Sequence, residues 1–264
     1  MRKLLIWGII IPIVAFVLVV GVAYFFQEKL IFIPEKLTNE HQYEFGGNWK
    51  ERTFDINGVQ LNAIHFKVSN PEGIVIYFHG NAGSLESWGH VGLDFTRLNQ
   101  DVLVFDYRGY GKSGGSINSE RQLLADAQFI YDKIKSEYKE ESITLYGRSL
   151  GSGIAAYIAT ENNPENLVLE TPCTSLNRLG GEIYPKFITN LMKYKLPTYK
   201  FLPKIKCPVY LFHGTDDQLI GYHHSEELVA SNPKVKLYTL EEGTHNNLPE
   251  FPEYHIALAE IFSK

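Results

Sequence analysis

Cysteine is scarce in this sequence of 264 residues, which contains only Cys173 and Cys207. Two cysteines cannot form a disulfide framework, and neither lies in a CxxC or zinc-binding pattern. One bridge between them could form in an oxidising compartment, but two buried free thiols are the expected state. The sequence also lacks an Asn-x-Ser/Thr site, so N-glycosylation is not expected.

The sequence also contains only a modest number of charged residues of either sign. Charged residues make up 21% of the chain, the net charge is −5, and 44% of the residues are hydrophobic. A chain of this size and composition forms one large globular domain or two small ones. Because there is no basic excess, nucleic acid is not expected as a partner.

One long stretch, residues 4–26, lacks any charged residue. As a helix it would extend about 34 Å, enough to cross the ~30 Å hydrocarbon core of a bilayer. We therefore expect residues 1–26 to form a transmembrane anchor in a membrane, with a cleaved signal peptide as the alternative. Arg2 and Lys3 precede the stretch and Lys29 and Lys36 follow it, which favours a single-pass protein with an extracytoplasmic main domain.

The rest of the chain is predicted to be a polar connector, residues 27–50, followed by one α/β domain, residues 51–264. Asn57-Gly58 joins two strand-like runs, 52–56 and 59–68, and predicts an antiparallel hairpin. Further strands are predicted at residues 74–78, 102–106, 143–146, 167–170, 207–212 and 235–240. The predicted helices include a segment that follows residue 84 and ends at about residue 100, residues 119–137, and a final helix at residues 252–262. This alternation indicates a mostly parallel sheet covered by helices on both faces.

Residues 172–206 interrupt the alternation and are predicted to form a short cap over the carboxyl ends of the strands. The sequence between Glu182 and Asp216 contains no acidic residue, and its six lysines before Cys207 are interleaved with tyrosine and phenylalanine. A solvated crossover segment is one interpretation. The other is a basic, aromatic surface that contacts anionic lipid headgroups.

A serine stands at the centre of the pattern GRSLG, residues 147–151, between a predicted strand and a predicted helix. Gly147 and Gly151 would remove side chains that clash in so sharp a turn, leaving the Ser149 hydroxyl clear of the chain at a helix N-terminus. A serine hydroxyl is a weak nucleophile at neutral pH and requires a base, which in turn requires an orienting acid.

The base is expected from another loop at the carboxyl edge of the sheet. His245 follows the last predicted strand in a flexible turn, whereas His79 and His213 each begin a His-Gly turn that would point the ring inward. Asp216 and Asp217 follow the preceding strand, and either could orient His245. We favour Asp217, because it lies farther beyond the tight turn.

Hydrolysis through such a serine also requires N–H donors for the developing oxyanion. The backbone N–H of Leu150, directly after the serine, is one candidate. The loop after the predicted strand 74–78 provides the other, which we assign to the backbone N–H of Asn81 following a turn at Gly80.

Five motifs occur in a fixed order along the chain: HGNAG at 79–83, DYRGYGKS at 106–113, GRSLG at 147–151, HGTDD at 213–217 and GTHN at 243–246. Together they resemble the alpha/beta-hydrolase superfamily. More narrowly, they are similar to its serine hydrolases with one N-terminal membrane anchor, which include esterase-like and protein-depalmitoylating members. The resemblance covers about residues 27–264. It implies the alpha/beta-hydrolase fold and places the acid at the second aspartate, Asp217.

A metal site is not expected. His223 and Glu227 form a possible i, i+4 pair, but a third ligand is not evident in the sequence. A helix start with acidic residues near its positive end explains the same residues.

The sequence thus predicts a serine hydrolase of carboxylic esters or thioesters that needs no cofactor, with Ser149, His245 and Asp217 as its triad. A small molecule, a lipid or an acylated protein is the expected substrate. An amidase or peptidase with the same triad and a non-catalytic tethered binding protein are the alternatives.

Overall fold

The computed structural model describes the backbone of residues 2–263 and the side chains of residues 10–12 and 14–263. The strands, in chain order, are β1 (Ile33–Pro34), β2 (Trp49–Ile56), β3 (Val59–Phe66), β4 (Gly73–Phe78), β5 (Ala82–Gly83), β6 (Gln100–Phe105), β7 (Ile143–Arg148), β8 (Asn166–Glu170), β9 (Val209–Gly214) and β10 (Val235–Leu240). The helices are α1 (Arg2–Phe25), α2 (Gln27–Ile31), α3 (Leu85–Trp88), α4 (Gly92–Thr96), α5 (Glu120–Lys135), α6 (Leu150–Glu161), α7 (Leu176–Ile183), α8 (Lys186–Thr189), α9 (Thr198–Phe201), α10 (His223–Ser231) and α11 (Pro252–Phe262).

An eight-stranded sheet forms the centre of the domain, in the order β10-β9-β8-β7-β4-β6-β3-β2. Strands β2 and β3 pair antiparallel, β3 pairs antiparallel with β6, and the remaining neighbours are parallel. Asn57 and Gly58 both have positive φ, 55° and 82°, as a two-residue hairpin turn of the predicted kind requires. The predicted sheet and its N-terminal hairpin are therefore confirmed.

Alternate residues of the parallel strands point into two separate cores. On β4, Ile74 and Ile76 join the core that includes α5, α6 and α10, whereas Val75 and Tyr77 join the core that includes α4 and α11. All of these strand residues are buried. Because successive side chains of a strand face opposite ways, the near-continuous apolar runs of the sequence correspond to strands covered on both faces.

The predicted helical segment from residue 84 to about residue 100 is interrupted. It consists of two short α-helices, α3 and α4, joined by a 3₁₀ helix at residues 89–91. Gly89 and Gly92 lie so close to the rings of Phe45 and Phe66 that a Cβ at either position would collide with the ring. This close packing, rather than a regular helix, attaches the segment to the sheet.

The connector, residues 27–50, packs tightly despite its irregular sequence. Strand β1 pairs in parallel with β5, matching Ile33 with Ala82. Phe32 and Tyr43 are buried, and the Tyr43 hydroxyl donates to Asn62 Oδ1 at 2.9 Å. The connector therefore borders the loop that follows β4.

The segment predicted as a cap, residues 172–206, contains α7, α8 and α9. Tyr194 and Leu196 of this segment are buried in the core that includes α6. Lys193, which the sequence offered as part of a lipid-facing surface, instead pairs with Glu28 at 3.1 Å and lies over the Tyr24 ring. The boundaries at residues 26, 50, 172 and 206 stay predictions.

The prediction of a transmembrane anchor and of a single-pass, extracytoplasmic protein is wrong. Among the residues that the structure describes, no helix has the length and hydropathy needed to cross a bilayer. The side chains of residues 1–9 and 13 of the predicted anchor lie outside the described part of the structure.

Candidate active site

Ser149 lies in the sharp turn between β7 and α6. Its backbone has φ 53° and ψ −117°, a strained conformation for a residue with a side chain, and such strain costs about 1–3 kcal/mol. The Ser149 N–H donates to the Glu170 carbonyl of the neighbouring strand at 2.9 Å, which fixes the turn to the sheet. The side chain is half-buried, so it remains reachable from solvent.

The predicted turn glycines are required by close backbone contacts. A Cβ on Gly151 would collide with the Phe78 carbonyl at the end of β4, and a Cβ on Gly147 would collide with the Gly151 backbone. Helix α6 therefore begins directly against the carboxyl ends of β4 and β7, with Ser149 at the point of contact.

The structure brings His245 together with the second aspartate of the HGTDD motif. His245 Nδ1 lies 2.7 Å from Asp217 Oδ2. Asp216 is exposed, and its N–H donates to the Gly243 carbonyl at 2.9 Å, so it supports the turn instead. The other ring nitrogen of His245, Nε2, is not engaged by Asp217.

Asp217 is held in its ionised form by its surroundings. Burial opposes the charge, but hydrogen bonds from His213, His245 and the Ile220 amide lower its pKa well below the ordinary value. Asp217 Oδ1 accepts the backbone N–H groups of Leu219 and Ile220, each at 2.8 Å. An acceptor held in this way can orient an imidazole and stabilise its positive charge.

Arg148, the residue before Ser149, connects the serine turn to the histidine loop. Its Nη2 donates to the His245 carbonyl at 2.9 Å and to Asn246 Oδ1 at 3.1 Å. Its Nε lies 3.1 Å from Glu170 Oε1, and the Glu170 side chain is only 2% exposed. The same guanidinium stacks over the ring of Trp88. A single side chain thus fixes the distance between the loops of Ser149 and His245.

The loop at residues 79–83 lies beside the serine. A Cβ on Gly80 would come within 3.8 Å of the Ser149 Cβ. His79 Nδ1 lies 2.7 Å from the Gly80 carbonyl oxygen. The peptide bond between Gly80 and Asn81 is trans, so its carbonyl and the Asn81 N–H point in opposite directions. By holding this carbonyl, His79 fixes the direction of the predicted oxyanion donor.

Two tyrosines of the motif at residues 106–113 support the same loop. The Tyr107 hydroxyl donates to the His79 carbonyl at 2.9 Å, and the Tyr110 hydroxyl donates to the Asn81 carbonyl at 2.6 Å. The N–H of Ile33, from the connector, also donates to the Asn81 carbonyl at 2.9 Å. These contacts immobilise the backbone on both sides of the predicted donor.

The His79 ring is fully buried against a carboxyl group. His79 Nε2 lies 3.5 Å from Asp106 Oδ1. Burial lowers the pKa of His79 to about 4 and raises the pKa of Asp106 to about 8. His79 is therefore neutral at pH 7, and burial disfavours the charged form of Asp106 as well. His79 acts as a fixed support for the loop.

The sequence interpretation missed the supporting residues Arg148, Glu170, Tyr107 and Tyr110. Arg148 had one readable signal, its position inside the GRSLG pattern. Its partner Glu170 ends a buried strand, where a charged residue requires a buried counterion. The tyrosines lie in a glycine-rich motif whose contacts depend on tertiary structure.

Comparisons with known proteins identify a family and several relatives of this chain. Residues 69–202 match the family described as serine aminopeptidase, S33. An uncharacterized protein of Mycobacterium tuberculosis is 31% identical over 210 residues, 78% of this chain and 74% of the relative. The alpha/beta hydrolase domain-containing protein aho-3 of Caenorhabditis elegans is 31% identical over 244 residues, 89% of this chain and 70% of that protein.

Solved structures with low sequence identity share the fold. The esterase Pf2001 of Pyrococcus furiosus has a TM-score of 0.69 at 20% identity and covers 88% of this chain and 97% of its own. An alpha-beta hydrolase of Vibrio vulnificus has a TM-score of 0.70 at 18% identity and covers 81% of each chain. These likenesses confirm the predicted alpha/beta-hydrolase fold.

The contacts of Arg148 predict a specific effect of its replacement by lysine. R148K keeps a positive charge beside Glu170 but loses the planar fork that also reaches the His245 carbonyl. We expect kcat for a simple ester to fall about 10–100-fold, as a misplaced catalytic group would cause, with a small change in melting temperature. The exposed Arg97 provides the matched control, R97K. An R148K variant with wild-type kcat would show that Arg148 does not position the histidine loop.

Proposed function

Because the chain belongs to the serine aminopeptidase S33 family of alpha/beta hydrolases, we propose that it is a serine hydrolase that cleaves carboxylic esters or thioesters. The single observation that carries the proposal is the 2.7 Å contact between His245 Nδ1 and Asp217 Oδ2, beside the turn that presents Ser149. The nucleophile, base and acid are Ser149, His245 and Asp217.

The reaction begins when Ser149 Oγ attacks the acyl carbonyl carbon and His245 Nε2 takes the hydroxyl proton. Asp217 holds the proton on His245 Nδ1 and stabilises the imidazolium that forms. The backbone N–H groups of Asn81 and Leu150 donate to the oxyanion of the tetrahedral intermediate.

Collapse of the intermediate breaks the bond from the acyl carbon to the leaving oxygen or sulfur. The alcohol or thiol leaves with the proton from His245, and the acyl group remains on Ser149. Water then attacks this acyl enzyme with His245 as base, releasing the carboxylic acid and regenerating the serine.

Substitution of the acid tests this assignment with an internal control. D217N keeps the shape of the side chain, but an asparagine amide favours the wrong tautomer of His245. We therefore expect kcat to fall about 10⁴-fold. The measurement is steady-state hydrolysis of a short-chain nitrophenyl ester, with circular dichroism to verify folding. D216N, at the exposed neighbour, should retain wild-type kcat. Equal losses in D216N and D217N would refute the choice of acid.

An apolar cavity of about 450 Å³ supports an acyl chain as part of the substrate. It lies between α1 and α2 on one side and α7 and α8 on the other, and its lining includes Leu30, Ile31, Ile188 and Met192. The Asn81 side chain donates to the Ile31 carbonyl at 3.2 Å, so one residue of the cavity lining contacts the proposed oxyanion loop. Its volume lies within the range of about 300–1,000 Å³ that is common for ligand pockets. We propose that it takes the acyl chain of a small-molecule or lipid ester or of an acylated protein.

Filling the cavity is expected to discriminate by chain length. In I188W the added indole occupies space at the cavity wall, so kcat/KM for a long-chain ester should fall about tenfold or more. Hydrolysis of the acetyl ester should stay at the wild-type rate. Ile183 is 74% exposed and does not line the cavity, so I183W is the control. Unchanged kcat/KM for the long-chain ester in a folded I188W variant would mean that the chain binds elsewhere.

An amidase or peptidase is the second candidate, because the matching family is described as a serine aminopeptidase. It would use the same triad on a poorer leaving group. Paired ester and anilide substrates with the same acyl group separate the two activities. We expect kcat/KM for the ester to exceed that for the anilide by more than their difference in intrinsic reactivity. A preference for the anilide would assign the protein to the peptidases.

A further inference from the structure

Trp88, the last residue of α3, lies beside the serine turn but takes no part in the proposed reaction. A Cβ on Gly80 would lie 3.1 Å from Trp88 Cζ2, 3.3 Å from Trp88 Cη2 and 3.8 Å from Ser149 Cβ. One edge of the indole ring and the Ser149 side chain therefore flank the same point of the loop after β4. Trp88 is half-buried, so part of its surface reaches solvent.

The Trp88 ring is held in place by contacts with its N–H and its faces. Its Nε1 donates to the Ala82 carbonyl at 2.7 Å. The His79 ring stacks on it with the centroids 5.8 Å apart, and the Arg148 guanidinium lies over it at 5.2 Å from the centroid. These contacts fix the edge with Cζ2 and Cη2 against Gly80. A surface that is already rigid binds a ligand group with little loss of conformational entropy.

The position of Trp88 in the fold indicates which part of an ester it would meet. Ile31, in the lining of the apolar cavity, packs against the core that includes α5, α6 and α10. Trp88 packs against the core that includes α4 and α11, on the opposite face of the sheet. In an ester, the acyl chain and the leaving group extend from opposite sides of the carbonyl carbon. With the acyl chain in the cavity, the leaving group is directed toward Trp88.

We propose that Trp88 is a specificity-determining residue that binds an aromatic ring in the leaving group of the ester. The proposal rests on the proposed function and names the class of alcohol that the site prefers. The edge of an aromatic ring carries partial positive charge and attracts the negative face of a second ring, which gives an edge-to-face pair. A saturated ring of similar size offers no such face.

The test compares benzyl acetate with cyclohexylmethyl acetate in the wild type, W88L and W88F. Both esters form the same acetyl enzyme, so differences in kcat/KM report the steps up to release of the alcohol. We expect the wild type to prefer the benzyl ester. W88L should lower kcat/KM for the benzyl ester about three- to tenfold more than for the cyclohexylmethyl ester, because the aromatic pair is lost. W88F retains an aromatic ring and should keep most of the preference.

The matched control is W49L, on the edge strand β2. Trp49 is also half-buried and donates its Nε1 to a backbone carbonyl, that of Phe45, at 3.0 Å. W49L should keep the wild-type ratio of the two kcat/KM values, and circular dichroism verifies that each variant is folded.

Two outcomes separate this proposal from the proposed function. An equal loss for both esters in W88L, or no loss for either, would overturn the proposal while leaving the esterase assignment intact. In the case of an equal loss, Trp88 would only support the loop at Gly80. Absence of hydrolysis of both esters by the folded wild type would instead refute the proposed function, and the role of Trp88 with it.

Discussion

The close approach of α6 to the carboxyl ends of β4 and β7 is the constraint on which the rest of the site depends. Without side chains at Gly147 and Gly151, the helix can begin against the Phe78 carbonyl, and Ser149 is forced into its strained backbone conformation. Burial of the apolar sheet and helix residues stabilises the fold enough to sustain that strain. The position of this turn also determines where the loops of His245 and Asn81 lie.

Buried charge organises those loops. Arg148 and Glu170 form an ion pair under the site, and Glu170 also accepts the Tyr146 hydroxyl at 2.5 Å. Removing either member of a buried pair leaves an uncompensated charge, which usually costs about 3–5 kcal/mol. Because Arg148 also binds the His245 carbonyl, the free energy that keeps the pair together also keeps the histidine loop in place. Stability and site geometry are coupled through one guanidinium.

The loop after β4 depends on buried groups whose charged forms are disfavoured. His79 and Asp106 are both buried, which lowers the pKa of the histidine and raises the pKa of the carboxyl, and the His79 ring contacts the Gly80 carbonyl. Tyr107 and Tyr110 hold the carbonyls on either side of the turn. The loop is therefore prepared before any substrate binds, which is the condition under which N–H donors stabilise an oxyanion most strongly.

Local patterns predicted the sheet, the hairpin at Asn57-Gly58 and the positions of Ser149, Asp217 and His245, because strand periodicity and turn residues act over short distances. The supports escaped prediction, since Arg148, Glu170 and Tyr110 acquire their roles only when distant segments meet. The interrupted helix after residue 84 follows from contacts of Gly89 and Gly92 with rings far along the chain. The transmembrane interpretation relied on the length and the uncharged, apolar character of residues 4–26, and the described helices do not bear it out.

The central claim, that Ser149 is the nucleophile, is tested most directly by mass spectrometry of the protein after reaction with a fluorophosphonate. The account predicts one phosphonyl adduct per chain, located on the peptide that contains Ser149, and no adduct in a folded S149A variant. An adduct on another residue, or undiminished labelling of S149A, would contradict it.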